Sequence, residues 1–165
     1  MTTATPVARP APPAPLASDL CWLMARTSHA LMTELTAALE QSGISPREHS
    51  VLVTAMTGAY TQTDLARMVG LDKTTMVVTI DDLEAAGLAE RRPSTTDRRA
   101  RVIAVTPAGA RKVRAAEKVL DQVREDVLAA LPDDERDVFL RALGRLACGR
   151  LSEPVQCAHP VRRRS

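Results

Sequence analysis

The sequence predicts a mainly α-helical protein with one small β-hairpin, and three observations carry that expectation. Apolar residues recur at threes and fours over most of the chain, which is the helical period. Segments 88–92 and 101–105 break that period and read as strands, joined by the turn-forming run Pro93-Ser94-Thr95-Thr96-Asp97. Aromatic residues make up only 2% of the chain, with Trp22, Tyr60 and Phe139 as the whole set. Leu, Val, Ala and Met must then fill the core, a palette that suits packed helices better than a β-sandwich.

Residues 1–15, rich in Ala, Thr and Pro, read as a disordered arm and not as a signal peptide. Leu16, Leu20, Leu23, Thr27, Leu31, Leu35 and Leu39 then form one stripe on a long first helix, which Gly43 is placed to stop. Ser45-Pro46-Arg47-Glu48 restarts the chain with an N-cap, a first-turn proline and a reciprocating glutamate. Val51, Leu52 and Met56 follow, and Gly58 is the expected end of that second helix. Two shorter helices are expected over 61–69 and 73–86, separated by Gly70-Leu71-Asp72. Beyond the hairpin, Thr106-Pro107 opens a long helix with the stripe Val113, Ala116, Leu120, Val123, Val127 and Leu131. Pro132 breaks it, and Asp133-Asp134-Glu135 begin a last helix whose apolar face is Leu140, Leu143, Leu146 and Ala147.

The expected organisation is therefore a compact lobe over 43–106, flanked by helices over 16–42 and 107–151, with a basic tail over 152–165. The flanking helices carry apolar stripes with little local core to bury them. A second copy of the chain would cover those stripes, so a homodimer is expected.

The pair of short helices has the makings of a helix-turn-helix. Leu65, Ala66 and Val69 make the inner face of its first member, Gly70 permits a left-handed turn, Leu71 plugs the core and Asp72 can cap the next helix. On that second helix Met76, Ile80 and Leu83 fall within one arc at about 100° per residue and should face inward. Thr74, Val77, Val78 and Asp81 then lie opposite, with Lys73 and Thr75 near the entry. A helix that reads DNA packs one side and offers its N-terminal half to the groove. Lys73, Thr74 and Thr75 supply a cation, two hydroxyls and free backbone N–H groups for that purpose. Val77 and Val78 suit thymine methyl groups. Asp81, Asp82 and Glu84 crowd the second half, which should lie away from the phosphates.

A net charge of +2 says little about nucleic acid, but its distribution says more. Arg91, Arg92, Arg98, Arg99 and Arg101 surround a hairpin turn whose only acid is Asp97. Beside a helix-turn-helix, such a basic wing can reach a phosphate or the minor groove. An ordinary amphipathic helix pair with a solvated charged face is the plainer alternative.

Taken in order, Thr63-Asp64-Leu65-Ala66, Gly70-Leu71-Asp72-Lys73-Thr74-Thr75, Leu83-Glu84-Ala85-Ala86-Gly87-Leu88, Asp97-Arg98-Arg99 and Val105-Thr106-Pro107-Ala108-Gly109 resemble the MarR family of transcriptional regulators. The resemblance spans roughly residues 44–111. It implies a winged helix-turn-helix homodimer that represses from a pseudo-palindromic operator on double-stranded DNA and is released by a small molecule. The DNA-binding set it supports is Thr63, Asp72, Lys73, Thr74, Thr75, Val77, Val78, Arg91, Arg98 and Arg99, with Arg98 and Arg99 approaching the minor groove. Asp97 is expected to orient an arginine. The chain departs from the family at Val77 and Val78, where members often carry a serine and an arginine.

Family resemblance also implies an effector pocket between the terminal helices and the lobe, for a small aromatic or lipophilic molecule. Trp22, His29, Met56 and Tyr60 are its candidate lining, with core or interface packing as the alternative. Asp19-Leu20-Cys21-Trp22-Leu23 is similar to the peroxide-sensing segment of the OhrR branch, which makes Cys21 a redox candidate and Cys148 its possible partner in a dimer. The tyrosines that activate the thiol in that branch are replaced by Ala25 and Leu35.

Cysteine usage, at three residues, fits a reducing cytoplasmic setting. No run approaches the ~20 apolar residues needed to span a membrane. The lone pair Cys157 and His159 lacks the clustered ligands of a metal site, and neither cofactor nor metal is expected. No phosphate loop, metal-ligand helix motif or nucleophile elbow points to an enzyme. A winged helix used for protein–protein contact remains the competing class.

Overall fold

The computed structural model describes residues 13–97, 99–153 and 155. The expected arm over 1–15 lies mostly outside them, as do Arg98 and most of the tail, including Cys157 and His159. The described chain runs α1 (Leu20–Ala38), α2 (Pro46–Ala55), α3 (Gln62–Val69), α4 (Lys73–Ala85), β1 (Ala89–Pro93), β2 (Arg101–Val105), α5 (Pro107–Leu128) and α6 (Asp133–Cys148). This is the mainly helical architecture with a two-stranded wing that the periodicity predicts.

Most helix starts are set by side-chain caps. Asp19 accepts from the Trp22 N–H and begins α1 four residues later than the apolar stripe alone suggests, leaving Leu16 in a short 3-10 turn. At α2, Ser45 and Glu48 form a reciprocal box, with the Ser45 N–H 2.6 Å from the glutamate and the Glu48 N–H 3.2 Å from the serine hydroxyl. Thr61 and Asp64 repeat this device at α3.

Helix α2 ends at Ala55 and not at Gly58. The Thr57 N–H and hydroxyl both donate to the Thr54 carbonyl and close the last turn early. Helices α3 and α4 end alike. Gly70 and Gly87 adopt left-handed conformations with φ of +75° and +68°. The N–H of the leucine after each, Leu71 or Leu88, then donates back to the Ala66 or Leu83 carbonyl. That bond holds Leu88 as a buried plug, so β1 begins at Ala89, one residue after the expected start.

The strands pair antiparallel, with Ala89 opposite Val105 and Arg91 opposite Ile103. A bridge between Thr61 and Val102, together with the Ile103 N–H donating to the Tyr60 carbonyl, ties the hairpin to the entry of α3. Leu39, Val51, Leu52, Leu65, Met76, Ile80, Leu83, Ile103 and Val113 form a continuous buried core under the lobe. Val113, Ala116 and Val123 of the α5 stripe are buried, whereas Val127 is exposed. Neither α1 nor α6 buries a residue within this single chain.

Candidate nucleic-acid interface

Helix α4 is divided cleanly into an inner and an outer face. Met76, Ile80 and Leu83 are fully buried, while Val77 is 41% and Val78 55% exposed. Burying the three inner side chains is worth roughly 1.5–3 kcal/mol each by transfer bookkeeping, which anchors the helix and leaves its other face to solvent. Thr79, also buried, satisfies its hydroxyl on the Thr75 carbonyl at 2.8 Å.

The N-terminus of α4 sorts the expected contacts. Asp72 accepts from both the backbone N–H and the hydroxyl of Thr75, at 2.9 and 2.6 Å. Those bonds hold the Asp72 carboxyl below its ordinary range. Asp72 and Thr75 are thus committed to each other as the cap. Lys73 and Thr74 are exposed at the same end, and Thr63 is exposed near the start of α3.

Within the wing, Ser94 accepts from the Thr96 and Asp97 N–H groups, and its own N–H donates to the Ala100 carbonyl. Asp97 accepts from the Arg99 N–H at 2.9 Å, so it orders the backbone of the turn and leaves the exposed Arg99 side chain extending from it. Arg92 is exposed and paired with Glu90. Arg91 differs: its guanidinium pairs with Glu84 and Asp81 of α4 and reaches Gln62 of α3. Sequence reasoning placed Arg91 among DNA contacts and missed these three partners. The surplus of acids on the second half of α4 was the available signal.

The other candidates are scattered. His29 lines an open groove of about 760 Å³ between α1 and the start of α2, with Met32, Thr36, Ile44 and Arg47. Trp22 is half-buried on α1 beneath the Arg26 guanidinium, 5.3 Å from its ring centre. Met56 is exposed at the end of α2, and Tyr60 packs against the lobe core. Of these four, only His29 lines the groove. Cys21 and Cys148 are exposed free thiols. Among the described residues, no cluster of three or more His, Cys, Asp or Glu is arranged for a metal, and no helix is long and apolar enough to cross a membrane.

A buried-backed helix presented at the end of a helix pair, beside a basic two-stranded wing, defines a winged helix-turn-helix protein of the DNA-binding class. A model described as the MarR family matches residues 42–100. CouR from Rhodococcus jostii RHA1, solved bound to p-coumaroyl-CoA, is 30% identical, with 80% of this chain and 94% of that one covered at a TM-score of 0.71. A MarR-family transcriptional regulator from Rhodococcus sp. RHA1 is 28% identical over 80% of this chain and 94% of that one, with a TM-score of 0.74. The repressor CouR bound to a 23-mer DNA duplex is 26% identical over 81% and 96%, also at 0.74. The chain belongs to the MarR family of transcriptional regulators.

Proposed function

We propose that the protein is a cytoplasmic, homodimeric repressor that seats two copies of α4 in successive major grooves of a pseudo-palindromic operator. The observation that carries this reading is the two-faced α4, with Met76, Ile80 and Leu83 wholly buried and Val77 and Val78 open beside the wing. Lys73 and Thr74 at the helix entry, Thr63 on α3 and Arg99 on the wing supply the general contacts. Val77 and Val78 supply apolar readout, and the Asp72–Thr75 cap holds the helix end. In this reading residues 43–106 are the DNA-binding lobe, and 16–42 and 107–151 are the dimerisation elements. Phe139, Leu140, Leu143 and Leu146 on α6 and Leu23 and Leu31 on α1 are exposed, the pattern expected of stripes that a second copy covers.

Release by a small aromatic or lipophilic effector is the switching model. Its support is the likeness to two structures of proteins named CouR, one solved with p-coumaroyl-CoA and the other with a 23-mer DNA duplex. The groove at His29 is the place to look for it.

The test is selection of bound duplexes from a random pool, followed by footprinting on the winners. Two protected half-sites about one helical turn apart are expected, with affinity falling steeply as salt rises. Salt-independent binding, or no enrichment of paired half-sites, would overturn the reading.

A further inference from the structure

The acids on the outer side of α4 pose an electrostatic problem for a helix that enters a groove lined by phosphates. One residue of the wing answers it. Arg91 Nη1 pairs with Glu84 Oε2, and Nη2 donates to Asp81 Oδ1 at 2.7 Å. The same Nη2 donates to Gln62 Oε1 on α3 at 3.2 Å, and the Arg91 backbone N–H donates to Glu84 Oε1 at 2.7 Å. A single guanidinium therefore joins both helices of the pair to the first wing strand. Its side chain is 29% exposed, against 61% for the neighbouring Arg92.

We propose that Arg91 is a positioning residue for DNA binding, which fixes the wing against α4 and cancels carboxylate charge on that helix without itself touching phosphate. This rests on the reading of α4 as the DNA-facing helix. Geometry carries the assignment: the fork of the guanidinium is occupied by two carboxylates, and an arginine engaged in this way is a rigid link and no longer a free cation. Burial pulls the basicity of Arg91 down, and the bonds from Asp81 and Glu84 outweigh it, so the net shift is upward. Removing the arginine would leave Asp81 and Glu84 uncompensated on the helix nearest the DNA, with the wing strand losing its tie.

The test compares the wild type with Arg91→Ala, Arg91→Lys and the triple variant Asp81→Asn/Glu84→Gln/Arg91→Ala. Binding to a random-sequence duplex about two helical turns long is titrated across salt concentrations. Amide exchange in β1 is followed on the same proteins without DNA. Arg91→Ala should bind about tenfold more weakly at fixed salt, and β1 should exchange faster. Arg91→Lys, which keeps the charge but not the fork, should also speed exchange. In the triple variant most of the affinity should return, because the unpaired carboxylates are gone, and its salt slope should match the wild type.

A triple variant as weak as Arg91→Ala, with a slope lower by about one phosphate contact, would make Arg91 a direct contact and overturn the proposal. Unchanged affinity and exchange in Arg91→Ala would overturn it as well. If instead the wild type does not bind duplex DNA at all, the proposed function fails, whereas the exchange of β1 still reports whether the tie exists.

Discussion

The Thr106 hydroxyl donates to the Gly87 carbonyl at 2.7 Å, joining the first turn of α5 to the turn that ends α4. The same oxygen accepts from the Gly109 N–H at 3.1 Å and so caps α5. A helix proposed to dimerise is thereby tied to the helix proposed to read DNA. Gly109 completes the joint, since a Cβ there would collide with the Leu88 carbonyl.

Substitution at this joint should destabilise the fold. Thr106→Ala loses the cap and should cost about 1 kcal/mol in denaturant unfolding. Gly109→Ala should cost about 1–3 kcal/mol, because two backbone segments must separate. If Gly109→Ala melts with the wild type, the close approach of α5 to Leu88 is wrong.

Arg99 is the cleanest test of the wing among the described arginines. Arg99→Ala should weaken binding to duplex DNA and lower the slope of log affinity against log salt by about 0.9 if it meets one phosphate. Stability should barely change, because the turn is held by the backbone bonds of Ser94 and Asp97 rather than by the guanidinium. Equal slopes for variant and wild type would remove Arg99 from the interface.

His49, on α2, provides a pH dependence. Burial lowers its pKa below the usual imidazole value, against the opposing pull of Glu117 on α5, and its Nε2 is buried without a hydrogen-bond partner among the described residues. The folded protein therefore favours neutral imidazole. A depressed folded pKa gives stability that is fully present above the unfolded value of about 6.5 and is lost as pH falls through the folded value. Unfolding free energy should be level above about pH 7 and decline on mild acidification, and His49→Gln should flatten that decline. Chemical denaturation at a series of pH values measures both curves.

The exposed face of α6 should govern assembly. Leu140→Glu places a charge where Phe139, Leu143 and Leu146 otherwise offer an apolar surface. Sedimentation should show the dimer weakened, with operator affinity falling in parallel, while helical content persists because α6 buries nothing within its own chain. A variant that sediments as the wild-type dimer would place the interface elsewhere.

Local chemistry was legible without a structure wherever neighbours in sequence satisfy one another. Ser45 and Glu48, Asp72 and Thr75, and Thr106 and Gly109 lie three residues apart, so caps and helix starts follow from spacing alone. The inward turn of Met76, Ile80 and Leu83 follows from the helical period in the same way. Side-chain pairing across the fold was not legible. Arg91 lies 29 residues from Gln62 and seven from Glu84, and in sequence it is one arginine of a basic cluster. Only the antiparallel register of the wing and its packing on α4 bring that guanidinium onto two carboxylates. Sequence therefore determined which surface is basic and which helix is two-faced, because both depend on residue type and period. The tertiary structure decided which of the described arginines is bonded within the fold and which is exposed on the wing, because that choice depends on distances between elements that meet only after folding.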